Sequence, residues 1–187
     1  FLIPSIARLH DKHPDVRVQL DASTQMLSLA KREADIAVRN QRPDNPDLIA
    51  RRIARWPLGL FASQDYIDRH GVPEPGSLFE GHDLVVYQPH LQSKKELTLV
   101  SEPLGRGRIV AALSSSLLVR RSIAAGIGIG EIPVCTGERD GLVRLWPERS
   151  RPLPYDVWLV THADLRHTAR VRVGIDEIVA AFAGVGE

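Results

Sequence analysis

The chain reads as an α/β protein built on parallel strands. Three observations predict this. Apolar residues at helical spacing alternate along the chain with short β-rich runs, in the order helix, strand, helix, strand. Proline, glycine and Ser/Thr punctuation separates these runs. Hydrophobic residues make up 43% of the 187, enough for one domain with a real core or for two small ones.

Residues 1–13 predict a helix, with Leu2, Ile6 and Leu9 on one face, Pro4 suited to its first turn and Pro14 stopping it. Residues 16–20 (VRVQL) alternate apolar and polar, the pattern of a strand. Ser23 and Thr24 are good caps for a second helix carrying Leu27, Leu29 and Ala30 to about Glu33. Residues 35–39 (DIAVR) are a short β-rich run, and Pro43 and Pro46 then break the chain. Two more strands are expected over 48–55 and 58–62. A short helix over 64–69 ends at Gly71, and 73–82 is a loop with a helical turn.

The next strand is expected at 83–87; 88–106 is weakly patterned, with one strand near 97–100; 108–113 is a further strand. Ser114, Ser115 and Ser116 cap a helix running to about Ala125. After Gly126, Gly128 and Gly130 comes a strand over 131–134, then an Asp140-Gly141 turn leading into 142–145. Residues 155–161 alternate well as a strand. In the final helix Val171, Ile175, Ile178, Val179 and Phe182 form one apolar stripe. No internal repeat or low-complexity tract is present.

Composition excludes several classes. Lys plus Arg number 24 against 23 Asp plus Glu, so no basic excess marks a nucleic-acid-binding face. The single cysteine, Cys135, allows neither an internal disulfide nor a zinc cluster, and it fits a reducing compartment. No run reaches the roughly 18 apolar residues of a membrane span, so no membrane partner is expected. No signal peptide is visible, and Phe1, which is not an initiator, suggests a trimmed start.

The motifs point away from catalysis. Gly126-Ile127-Gly128-Ile129-Gly130 has glycine spacing reminiscent of a phosphate loop, but a helix precedes it and a strand follows, the reverse of a dinucleotide fingerprint. A helix C-terminal turn with close backbone packing is the better reading. His10 and His13 are three apart, and His162 and His167 flank the last turn. None belongs to a tight cluster with ligand spacing, so no metal or cofactor is expected. Cys135 reads as a packed residue, since nothing near it in sequence lowers its pKa. Arg51, Arg52 and Arg55, and Arg166, Arg170 and Arg172, read as solvated faces. No serine sits in a nucleophile elbow, so no catalytic residue is assigned.

Six segments taken in order carry a family resemblance: FLIPSIARLHDKHPDVRVQL, LSLAKREADIAVRNQRPDNPDLIARRI, LGLFASQDYIDRHGVPEPGSLFEGHDLV, AAGIGIGEIP, DGLVRLWP and VWLVTHADLRHTARVRVGIDEI. The chain resembles, over nearly its whole length, the effector-binding domain of LysR-type regulators, in the branch similar to glycine-cleavage activators. The resemblance implies a type-2 periplasmic-binding-protein-like α/β fold, two subdomains joined by two crossing strands with a small-molecule effector between them. Subdomain I would be residues 1–62 plus 162–187, and subdomain II residues 63–161. The crossings would fall on the strands at 58–62 and 155–161, with Ala62, Ser63, Thr161 and His162 as hinge residues. Family members also carry an N-terminal winged helix-turn-helix, a linker helix and a first strand that would precede Phe1. Glu131 departs from the family pattern, which has a small or apolar residue there.

The Ser/Thr-rich helix starts at Ser23-Thr24 and Ser114-Ser115-Ser116 are read in two ways. Ordinary capping is one; binding of an anionic effector at helix N-termini, which the resemblance favours, is the other. Arg39 and Asn40 close a strand, where ligands of parallel sheets sit, and Arg39 could clamp a carboxylate with two parallel hydrogen bonds. The alternative is a surface arginine, or one paired with Asp35 or Asp44. The resemblance further implies antiparallel pairing in a homodimer or homotetramer, Leu2, Ile6 and Leu9 of one copy lying near Leu117 and Leu118 of another; the alternative is that these leucines face their own core. The expectation is therefore a cytoplasmic, non-enzymatic sensor that reaches DNA only through the N-terminal winged helix-turn-helix. A periplasmic solute-binding protein of a transporter is the rival on the same fold, and an enzyme the third.

Overall fold

The computed structural model describes residues 2–22, 29, 33–92 and 96–185. These form two compact units, one made of residues 1–55 and 156–187, the other of Trp56–Tyr155.

In the first unit, helix α1 (Leu2–Lys12) places Pro4 in its first turn and turns Ser5 and Leu9 inward. Its partner is α6 (Ala169–Phe182), which buries Val171, Glu177 and Phe182. The predicted stripe is present, but Ile175, Ile178 and Val179 are only half-buried. The carboxylate of Glu177 lies in the same face, where it accepts hydrogen bonds from Arg8 Nε at 3.2 Å and from Lys12 Nζ. Charge pairing thus supplements a thin apolar contact. Strands β1 (Ile36–Arg39), β2 (Leu48–Trp56) and β10 (Tyr155–His162) make a sheet in the order β1-β10-β2, with Ile36 opposite Thr161 and Arg39 opposite Trp158.

Residues 16–20 do not form the expected strand. They run without ladder bonds, leaving Val18 and Leu20 exposed. Alternation makes a segment able to pair but supplies no partner, and none of the described strands lies alongside. Of the expected second helix only Leu29, which is buried, and Glu33 are described.

The second unit centres on β3 (Leu58–Ala62), buried at every position, which pairs antiparallel with β8 (Gly130–Pro133) and with β9 (Val143–Leu145). A continuous apolar run is what a strand covered on both faces needs. Beside this sheet, β4 (Asp83–Tyr87) and β7 (Arg108–Leu113) form a parallel pair. A parallel bridge from Leu84 to Ile129 ties β4 to the entrance of β8. Helix α2 (Gln64–His70) is capped by Ser63 Oγ, which accepts from Tyr66 N at 3.1 Å, and it ends at Gly71 with φ of 73°. Between β4 and β7 lie α3 (Gln88–Leu91) and a hairpin of two short strands, β5 (Thr98–Leu99) and β6 (Glu102–Pro103). Helix α4 (Ser116–Ala124) follows β7 and packs Val119 and Ile123 against Phe61, Val85 and Ile132.

Two corrections concern this unit and the sheets. Residues from Val134 onward continue as helix α5 (Val134–Arg139), where only a strand ending at Val134 was expected. Six residues are too few to show a helical period. Among the pairings described, β4–β7 and the Leu84–Ile129 bridge are parallel, while β1–β10, β3–β8, β3–β9 and β5–β6 are antiparallel. Alternating helices and strands predict covered sheet faces, but β10 reaches its sheet from far along the sequence and runs opposite to β1.

The glycine run behaves as its order suggested. Gly126 has φ of 71°, and its N–H bonds Ile123 O at 3.0 Å, closing α4. A Cβ at Gly128 would lie 2.6 Å from Asp83 O, so glycine there lets two backbones approach.

Candidate functional site

The predicted effector residues of the second unit stand at the carboxyl edge of its parallel pair. Strand β4 ends at Tyr87, opposite Leu113, the end of β7. Ser114 follows, exposed; Ser115 is half-buried and occupies the N-cap of α4; Ser116 opens the helix. The plain capping reading fails at Ser115, whose side chain makes no capping bond even though its carbonyl accepts from Val119 N at 3.0 Å. Its hydroxyl is therefore uncommitted to the helix.

Sequence reasoning missed several groups at and beside this edge. The ring of His90 meets Tyr87 edge-on, with centroids 5.4 Å apart. Burial, and then the charge of Arg151, push the His90 imidazole below its ordinary range. Tyr155 stacks on Trp56 at 6.4 Å, and its phenol is pushed up by burial and then by neighbouring Tyr87. Arg151 reaches inward: its Nε sits 2.9 Å from Glu131 Oε1, and its Nη2 donates to Thr98 O at 3.2 Å. Glu131 keeps only 4% of its side chain exposed. Burial pushes its carboxyl up, while Arg151 and the N–H of Val100, 2.6 Å from Oε2, hold it down. The rule that ligands sit beyond the carboxyl ends of parallel strands could have found Tyr87 and His90. Arg151 and Tyr155 come close only through long-range folding and left no local signal.

In the first unit, Arg39 is half-buried at the end of β1 and Asn40 is exposed. Arg42, nearby in sequence, places its guanidinium 5.6 Å from the ring centre of Trp158, the residue opposite Arg39. Ser23 and Thr24 lie outside the described residues. A groove of about 400 Å³ in this unit is lined by Ile6, His10 and residues 14–18, and contains none of the predicted effector residues.

The expected hinge residues all have work inside their own unit. Ala62 is buried opposite Val143, and Ser63 caps α2. Thr161 Oγ1 donates to Asp35 O at 2.9 Å, and His162 Nδ1 accepts from Asp164 N at 3.3 Å to cap the 3-10 turn Ala163–Leu165. The chain passes between units earlier, at 55–56 and 155–156. Of the expected pairing residues, Leu9 is corrected: it is 5% exposed, turned into the first unit's core. Leu2 and Ile6 are half-buried, while Leu117 and Leu118 are 53% and 51% exposed. Ile3, Ile109 and Val110 add exposed apolar surface that the sequence reading did not name.

Chemically, this is a set of donors, aromatic faces and one buried ion pair. Among the described residues no group of three or more His, Cys, Asp or Glu could hold a metal, and no helix is long and apolar enough to cross a membrane. Cys135 is half-buried, and burial pushes its thiol up, which disfavours the reactive thiolate.

Comparison with known proteins places this geometry. The regulatory domain of CrgA, a LysR-type transcriptional regulator from Neisseria meningitidis, superposes with a TM-score of 0.82 at 24% identity, covering 97% of this chain and 92% of that one. The effector domain of AmpR from Pseudomonas aeruginosa gives 0.72 at 16% identity, covering 98% and 89%. The fold is thus that of LysR regulatory domains, type-2 periplasmic-binding-protein-like and α/β. In sequence, the HTH-type transcriptional regulator CrgA of Neisseria meningitidis serogroup B is 26% identical over 184 residues, 95% of this chain and 61% of that protein. The HTH-type transcriptional activator AaeR of Escherichia coli is 22% identical over 192 residues, 97% of this chain and 60% of that protein. The chain therefore spans about three fifths of the length of these curated relatives. The family model for the LysR substrate binding domain matches residues 1–183, and the chain belongs to that family.

Proposed function

We propose that this chain is the effector-sensing part of a LysR-type transcription regulator. The observation that carries the reading is the family match, which spans residues 1–183 and so covers residues of both units. In the intact protein a winged helix-turn-helix and linker helix precede it, DNA is reached only through them, and the protein acts in the cytoplasm. The branch is that similar to glycine-cleavage activators. The chain binds and does not turn over its ligand, a reading supported by relatives that are transcription regulators. The relatives reported are regulators, which gives a transport role no support.

The effector is a small anion. Its contacts are Ser23, Thr24, Arg39 and Asn40 in the first unit, and Ser114, Ser115 and Ser116 in the second. Support comes from the uncommitted Ser115 hydroxyl beyond the carboxyl end of the parallel pair β4–β7. A ligand that prefers one conformation shifts the population only by its differential affinity, about 1–3 kcal/mol in typical couplings. A thermal-shift screen of amino acids and small aromatic and aliphatic acids should find compounds that raise Tm. Arg39→Ala should then weaken binding roughly 10- to 100-fold, the range for a charge-assisted hydrogen bond, with Tm of the free protein nearly unchanged. Lost stability with unaltered affinity would make Arg39 structural.

Pairing of two copies is proposed through Leu2 and Ile6 of α1 and Leu117 and Leu118 of α4, widened by Ile3, Ile109 and Val110. Sedimentation should show a dimer that Leu118→Asp converts to monomer. A monomer at high concentration in the parent protein would refute the pairing.

A further inference from the structure

Among the described residues, left-handed backbone outside glycine is concentrated in one part of the second unit: Leu78 and Phe79 (φ 57° and 61°), Val100 and Ser101 (φ 42° and 71°) and Trp146 (φ 49°). A β-branched residue such as Val100 is a genuine outlier at positive φ. Such conformations persist only where surrounding contacts over-determine them.

The contacts here follow one plan, used twice. At the first site, Glu131 on β8 accepts from the backbone N–H of Val100 at 2.6 Å through one oxygen and faces Arg151 Nε at 2.9 Å through the other. At the second, Glu102 on β6 accepts from the backbone N–H of Leu78 at 3.1 Å through one oxygen and from Arg149 Nη1 at 3.0 Å through the other. Each carboxylate is buried, with 4% and 7% of its side chain exposed. Each holds the N–H of the first residue of a left-handed pair, and each is closed by an arginine from the same short segment, 149–151. The two sites also share the hairpin: Arg151 bonds Thr98 O on β5, while Glu102 lies on β6. Trp146 joins them, stacking on Phe79 at 5.3 Å while the Arg149 guanidinium lies 5.1 Å above its ring.

We infer that Glu131 and Glu102 form a double latch, by which the 77–82 loop, the β5–β6 hairpin and the 146–151 segment open and close as a single unit. Neither left-handed pair, Leu78-Phe79 or Val100-Ser101, has glycine to relax it, so losing one carboxylate contact frees that turn. The arginine segment, no longer held, loosens the other. The latch lies just ahead of Tyr155, the last residue of the second unit. This goes beyond the sensing proposal and does not depend on an effector.

The test is native-state hydrogen exchange on the 187-residue chain, with 77–82 and 98–103 followed in separate peptides. Glu131→Gln should speed exchange at least tenfold at 98–103 and, at long range, also at 77–82. Arg149→Met should likewise speed both, directly at 77–82 and at long range at 98–103, and the double variant should exceed neither single one by much, the mark of coupled sites. Should Glu131→Gln lose its fold, Arg151→Lys and Arg149→Lys, which keep the charge and lose the planar fork, carry the same comparison. Faster exchange confined to the turn each variant touches, with additive effects in the double variant, would overturn the latch.

Discussion

Single residues carry the clearest pH signature. His82 is buried, its Nδ1 3.4 Å from the Tyr66 hydroxyl, and burial, then His70, lower its pKa from the ordinary 6.5. His90 is shifted the same way, mainly by burial. A histidine held below its ordinary value is kept neutral in the folded chain, while the unfolded chain takes up the proton first. Stability is therefore full above the ordinary imidazole range and falls as pH drops through it. Urea midpoints should be lower at about pH 5.5 than at about pH 7.5, and His82→Gln with His90→Gln should flatten that slope. An unchanged slope would place the acid sensitivity elsewhere. Gly137 supplies a packing test at the same scale. A Cβ there would lie 2.5 Å from the ring of Phe61, which is fully buried. Gly137→Ala should cost about 1–3 kcal/mol in urea unfolding, the range for overpacking a tight core.

Elements differ in how plainly they were written in the sequence. Helices α2 and α4 and strands β3, β4, β7 and β10 lie where capping residues, glycine stops and runs of apolar residues put them. These signals are local. Helix α5 escaped because six residues hold no period, and residues 16–20 misled because alternation says nothing about a neighbour. The candidate residues divide in the same way. Ser114 to Ser116 in the second unit, and Arg39 in the first, are proposed from element ends; Arg151, Tyr155 and Trp56 leave no such local signal, since contacts such as Arg151–Glu131 and Tyr155–Tyr87 join distant parts of the chain. Helix α1 also makes a prediction. Its union with α6 leans on Glu177, whose carboxyl is held below its usual range chiefly by the Lys12 hydrogen bond, then by Arg8. That contribution is present above the ordinary carboxylate pKa and lost as pH falls through the lowered one. Glu177→Gln should speed hydrogen exchange in residues 2–12 at neutral pH, with little further change on acidification. Protection of α1 equal to that of the parent would show that Leu9 and its apolar neighbours suffice.

At the scale of the molecule, the two units are unequal in connectivity. The second is one uninterrupted stretch, Trp56–Tyr155, while the first needs both ends of the chain. The uninterrupted unit contains both buried clusters around Phe61 and Leu60. A fragment of residues 56–155 should fold alone and melt cooperatively, whereas residues 1–55 alone should not, because β1 would lack its partner β10. A non-cooperative melt of the 56–155 fragment would mean that its core needs the rest of the chain.

Stacking of Trp56 on Tyr155 brings the first and last residues of that stretch side by side. A module whose entry and exit lie together can be lifted out and replaced with little disturbance to its host, since only two neighbouring peptide bonds are cut. Chimaeras exchanging this cassette between relatives should keep the recipient's first unit intact, so that residues 56–155 form a natural unit of exchange within the family.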